Sequence, residues 1–118
     1  MSKGSLSEKY DLVIPIIVDR NKEFFHSPEY RQLVGNAEDL PGVIACAYAR
    51  FLSRLIHSGR MESLRELISP INRIASWNDP KVNIMIQDEF IEQLIADNVL
   101  DIARPEMNEY LARFAEGR

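Results

Sequence analysis

Cysteine is all but missing from this chain: Cys46 is the single one in 118 residues. That excludes an internal disulfide and fits a reducing compartment. Histidine is scarce too, with only His26 and His57, each at an expected helix boundary. No His-x-x-x-His, no Cys-x-x-Cys and no other paired ligand spacing occurs, so neither a metal nor a cofactor is expected. The five glycines (Gly4, Gly35, Gly42, Gly59, Gly117) are scattered, and none builds a phosphate-cradling loop. Long hydrophobic runs are absent. The longest, Leu12 to Val18, holds seven residues with Pro15 among them, against about 20 for a membrane span. Met1 to Glu8 is polar and carries no apolar secretion-signal stretch. The expectation is a cytoplasmic protein.

Sustained apolar–polar alternation between hairpin turns is also missing. What is present is the punctuation of helices. A first helix is expected from near Ser7, with Pro15 kinking it or ending it early. Ser27-Pro28-Glu29 opens a short second one, because serine can cap and proline suits the first helical position. Gly35-Asn36 closes it. Asp39-Leu40-Pro41 starts a third, with Ile44, Tyr48, Phe51, Leu52 and Leu55 at helical spacing and His57-Ser58-Gly59 at its end. A fourth runs from about Met61 to Ser76 on the stripe Leu64, Leu67, Ile68, Ile71 and Ile74, with a kink or break expected at Pro70.

The fifth helix is expected from Pro80 to about Asp97. It is apolar on two sides: Val82, Met85, Ile86, Phe90 and Leu94 on one, and Ile84, Ile91 and Ile95 on the other. Asn98 closes it. Arg104-Pro105-Glu106 opens a last helix with Met107, Tyr110, Leu111 and Phe114 as its buried face. The fold class is all-α: a compact single-domain bundle, or a short solenoid-like array, of about six helices in a mostly antiparallel stack. Residues 1–6 are expected to form a loose tail and 7–118 the single helical domain.

Chemistry is harder to find. Cys46 sits in the small-residue run Ala45-Cys46-Ala47 of the most apolar helix and reads as a small buried hydrophobe. A reactive thiol needs an electropositive, partly open setting. Asp88 and Glu92 share a helix face, but the Glu-x-x-His partner of a dimetal carboxylate bundle is missing. No catalytic residue is assigned, and the chain is not expected to be an enzyme.

Charge is the most informative property. Residues 1–80 carry ten basic and ten acidic side chains, whereas 81–118 carry four and eight, so the whole net charge of −4 lies in the last third. Between Val82 and Ala112 stand Asp88, Glu89, Glu92, Asp97, Asp101, Glu106 and Glu109, with Arg104 as the one base. Nucleic-acid binding depends on cations meeting phosphates, so direct DNA or RNA binding is not expected. The local basic set on the third and fourth helices is Arg50, Arg54, Arg60, Arg65 and Arg73. An acidic face suits a basic protein partner, since complementary charge speeds and orients encounter.

Asp79-Pro80-Lys81-Val82-Asn83-Ile84, followed by Phe90-Ile91-Glu92-Gln93-Leu94, resembles a motif in the small all-helical immunity-like proteins of bacterial polymorphic-toxin and contact-dependent growth-inhibition systems. In that family a helix begins near an Asp-x-x-Val-x-Asn pattern and later carries Phe-[Leu/Ile]-Glu-x-Leu. The resemblance spans about residues 40–95. It implies an immunity protein that neutralises a cognate toxin domain. A basic toxin, such as a nuclease, would meet the seven acidic residues named above. The competing expectation is a helical scaffold or regulatory subunit that binds a peptide or partner helix in an apolar groove, with Trp77, Phe24 and Phe25 as its candidates.

Overall fold

The computed structural model describes residues 9–117. The expected tail (1–6) and the expected helix start at Ser7 lie outside them. Every regular element among the described residues is helical, and none is a strand, as the all-α reading requires. The radius of gyration, 13.6 Å, is what a compact domain of this length has, about 13–14 Å.

Helix α1 covers residues 9–14 and passes into a π-helical turn, Pro15–Asp19. The α-helical stretch stops at Pro15, whose missing N–H interrupts the ladder, and the chain continues in the wider turn. Two single-turn helices follow, α2 (Lys22–Phe25) and α3 (Pro28–Arg31). Each is capped by its N-terminal side chain: Phe24 N–H donates to Asn21 Oδ1 at 2.9 Å and Tyr30 N–H donates to Ser27 Oγ at 3.2 Å.

The long helix α4 (Pro41–His57) is the centre of the molecule. It ends in a Schellman motif: Gly59 N–H donates to Ile56 O at 3.0 Å, and Arg60 N–H donates to Leu55 O at 2.9 Å. Gly59 has φ +82°, a conformation only glycine adopts without strain. Helix α5 (Leu64–Ala75) keeps its stripe buried and stays one element through Pro70.

The chain then builds a composite helix of three consecutive pieces, α6 (Pro80–Met85), a π segment (Ile86–Ile91) and α7 (Glu92–Ala96). Asp79 caps its start, accepting from Val82 N–H at 3.1 Å. Asn98 closes it with φ +62° in a second Schellman motif, in which Asn98 N–H donates to Ile95 O and Val99 N–H to Leu94 O, both at 3.0 Å. Val99 and Leu94 are both fully buried, the apolar contact that accompanies this motif.

The π segment corrects the two-sided apolar reading. In a regular helix each residue turns about 100°, and a π bulge adds one residue to a turn, rotating everything after it by about that much. The stripe begun by Val82, Met85 and Ile86 would otherwise continue through 89 and 93, which are Glu89 and Gln93. The extra residue moves it to Phe90, Ile91 and Leu94, all fully buried. Ile84 then falls out of phase with Ile91 and is left 63% exposed.

The expected last helix is also corrected. The chain instead forms α8 (Leu100–Ala103), a 3-10 turn (Arg104–Glu106), α9 (Glu109–Ala112) and a second 3-10 turn (Arg113–Ala115). The effective start signal is Asn108, whose Oδ1 accepts from Leu111 N–H at 2.8 Å. Leu111 and Ala115 are buried there, Met107 and Phe114 are half-buried, and Tyr110 is 40% exposed.

The closest packing is between α4 and the composite helix. Cys46 Sγ donates to Gln93 Oε1 at 3.3 Å, and the His57 imidazole bonds the Asp97 carbonyl at 2.9 Å. Early residues meet early ones and late meet late, so these two helices run parallel rather than antiparallel, with α5 returning the chain between them. A carbonyl can only accept, so His57 carries its proton on Nε2.

Two polar pins tie the layers together. Tyr48, fully buried, donates its hydroxyl to the Leu67 carbonyl of α5 at 2.6 Å and accepts from Asn21 Nδ2 at 3.3 Å. Asn72 in α5 holds the C-terminal segment: its Nδ2 donates to Glu106 O at 3.0 Å and its Oδ1 accepts from Asn108 N–H at 2.9 Å. Tyr48→Phe removes both hydroxyl bonds at constant shape. We expect a loss of about 1–3 kcal/mol, read as a lower urea midpoint with unchanged slope. Asn72→Ala is expected to cost a similar amount and to speed amide exchange at Asn108. Equal exchange in variant and parent would show that the pin is dispensable.

Candidate protein-binding surface

Two of the ion pairs among the described residues cross between helices. On the N-terminal side, Arg54 forms a two-bond pair with Glu29 (2.7 and 3.1 Å), and Arg60 pairs with Glu23. These bridges run from α4 and the turn after it back to α3 and α2, so two members of the expected basic set are neutralised within the fold. Burial pushes the Glu29 carboxyl up, but the Arg54 hydrogen bond and charge, a backbone N–H and the Arg50 charge together outweigh this and leave it below its ordinary value. The Arg60 guanidinium likewise holds the Glu23 carboxyl low.

Of the seven acidic residues singled out in the sequence, Asp101 pairs locally with Arg104 at 3.0 Å, while its side chain stays 89% exposed. Asp97 accepts from Gln93 Nε2 at 3.0 Å. Glu92 is exposed on the first turn of α7. Among the described residues no cation pairs with Asp88, Glu89, Glu106 or Glu109.

The seven do not make one continuous face. Asp97 lies by the C-terminal end of α4, where His57 meets its carbonyl, and Asp101 follows on the next helix. Glu106 and Glu109 lie beside the last turn of α5, next to Asn72. Asp88 and Glu89 sit at the N-terminal end of α4, across from Gly42.

This last place has a shape of its own. Asp88 and Glu89 edge a depression of about 230 Å³ between α1, the start of α4 and α6. Ile84 and Met85 give it apolar lining, and Tyr10 and Lys81 line it as well. The Lys81 ammonium stands 4.4 Å from the centre of the Tyr10 ring. A Cβ on Gly42 would lie 3.5 Å from Glu89 Cγ and 3.8 Å from the Tyr10 hydroxyl, so the missing side chain leaves the base of the depression open. Sequence reading placed Ile84 in the core and gave Gly42, Lys81 and Tyr10 no role. The phase slip that exposes Ile84 does show in the apolar pattern, as a stripe that resumes one residue late at Phe90 and Ile91, and the sequence reading took it for a second apolar side.

No cluster of three or more His, Cys, Asp or Glu residues able to hold a metal exists among the described residues. The Cys46 thiol is pushed up by burial, with the Glu89 carboxylate adding to the effect. It is therefore protonated at neutral pH and serves as a hydrogen-bond donor to Gln93. Asn83 donates to Asn78 Oδ1 at 3.1 Å, and Arg113 donates to the same oxygen at 2.7 Å. The polar residue of the motif thus steadies the turn at Asn78, whose φ is +52°.

The three aromatics named as groove candidates do not share one exposure. Phe24 is fully buried, Trp77 packs half-buried on the core, and only Phe25 is open, with Arg31 lying 5.9 Å over its ring. No helix among the described residues is long and apolar enough to cross a membrane. No family model, curated protein or solved structure matches the chain.

The Glu29–Arg54 pair carries a pH signature. A carboxyl held low in the fold contributes stability that is present above its ordinary value of 4.5 and is lost as pH falls through the lowered one. Glu29→Gln is therefore expected to melt lower than the parent at pH 6 and to lose less stability on acidification to pH 3. Parallel melting curves across that range would remove the pair from the account.

Proposed function

We propose that this chain is an immunity protein that binds a basic toxin domain and blocks it. The observation that supports this reading most is the division of charge. Arg54 and Arg60 are bridged across helices to Glu29 and Glu23, whereas Asp88, Glu89, Glu106 and Glu109 meet no cation among the described residues. Residues 1–80 balance in charge and 81–118 carry the net −4, so the excess of acid lies on the composite helix and the C-terminal segment. Exposed carboxylates of one sign raise the encounter rate with a cationic protein and fix its orientation. The resemblance over residues 40–95 points the same way.

The immunity role places the binding energy on the partner's charged groove, since a toxin acting on nucleic acid must itself carry cations that meet phosphates. A carboxylate-bearing surface competes for those cations. Blocking then needs only occupancy, and no chemistry is required of this chain.

The test begins with recovery of the partner from the native host on the immobilised full chain. The supporting result is a basic domain that stops cell growth when expressed alone and is silenced by co-expression of this chain. Reversal of charge in Asp88→Lys with Glu109→Lys should then slow association about tenfold at low ionic strength and flatten its salt dependence. An acidic partner, or an association rate indifferent to both salt and charge reversal, would overturn the reading.

A further inference from the structure

We infer that the depression at the start of α4 receives one arginine or lysine side chain of the protein partner. This inference rests on the proposed immunity reading and names the place where that partner is gripped. Three features converge there. Ile84, the most exposed large apolar side chain among the described residues at 63%, lines the depression with Met85. An aliphatic stem of three or four methylenes fits such a lining, because the stem of a basic residue buries apolar surface while its head stays polar.

Glu89 is only half-exposed, and no hydrogen bond or ion pair from the described residues reaches its carboxylate. The carboxylate is not among the buried unpartnered polar atoms, so it is open to an incoming cation. Asp88 stands next to it at the open edge. The two can share one guanidinium or ammonium group through charge-assisted hydrogen bonds.

The third feature is Lys81. Its ammonium already rests on the Tyr10 ring at 4.4 Å. The chain's own cation is thus held by the aromatic face rather than by either carboxylate, leaving both acids to a visitor. Gly42 keeps the base of the depression open, and a side chain there would fill the space that the stem needs.

The test uses the full chain, labelled for amide NMR. The probes are N-acetyl-arginine-N-methylamide, its lysine counterpart, and the uncharged norleucine analogue. The expected result is saturable shifts at Gly42, Ile84, Asp88 and Glu89 with both cationic probes, at least threefold larger than with norleucine. At Glu106 and Glu109 the shifts should be weaker. Gly42→Leu, which fills the base without altering charge, should abolish the response. Asp88→Asn with Glu89→Gln should abolish the preference for cations and covers the case in which Gly42→Leu does not fold. Equal shifts at all exposed carboxylates, or none at the depression, would overturn the inference. The two proposals fail separately. A toxin partner whose affinity survives both variants removes the site and leaves immunity standing. A saturable cationic response with a partner that is no toxin removes immunity and leaves the site.

Discussion

The Tyr48 hydroxyl is the contact around which the first half of the molecule is arranged. It is fully buried on α4 and reaches the Leu67 carbonyl of α5. The bond is 2.6 Å long and joins the two helices directly. Burial pushes the Tyr48 phenol far up, so it is a hydrogen-bond donor at neutral pH. Around it, Phe24 meets Tyr48 edge-on at 4.9 Å and lies 5.4 Å from both Tyr30 and Phe51. Each such pair adds about 0.5–1.5 kcal/mol beyond burial. A single aromatic from α2 thereby fixes α3 and α4 together.

The second half is governed by a different constraint, the extra residue in the composite helix. It reconciles two demands that a regular helix could not meet at once. Val82, Met85 and Ile86 must face the core at one end, and Phe90, Ile91 and Leu94 at the other. The slip between them carries Glu89 and Gln93 to the flank of α4, where Gln93 meets Cys46 and Glu89 lies over Gly42. It also leaves Ile84 in solvent. The polar edge and the apolar lining of the proposed cation site thus come from the same local change in helix pitch.

Much of the architecture was legible in the residues. The boundaries at Ser27, Pro41, Gly59, Pro80 and Asn98 all stand, because each rests on a cap or on a backbone preference that acts locally. The end of the chain was misread because Arg104-Pro105 resembles a helix start, whereas Asn108 has the capping geometry and the support of Asn72 from another helix. Short loops suggest antiparallel consecutive helices, which is compatible with a parallel α4 and composite helix two steps apart, but nothing in a loop says which non-consecutive helices touch. The acidic residues were legible as a list, but their division into separate groups was not, since it depends on where α5 and α4 end. The depression itself joins Tyr10, Gly42 and Ile84 from three elements, and no spacing in the sequence connects them.

The parallel pairing of α4 with the composite helix also bears on how the chain emerges during synthesis. The Tyr48–Leu67 bond spans 19 residues, whereas the Cys46–Gln93 bond spans 47. The aromatic hub can close once α5 has left the ribosome, but the flank of α4 that the π segment and α7 cover stays bare until residue 97 is out. Distant contacts are the slower ones to form. The nascent protein therefore passes through a stage with a finished hub and an open apolar side, the interval in which a chaperone has something to hold.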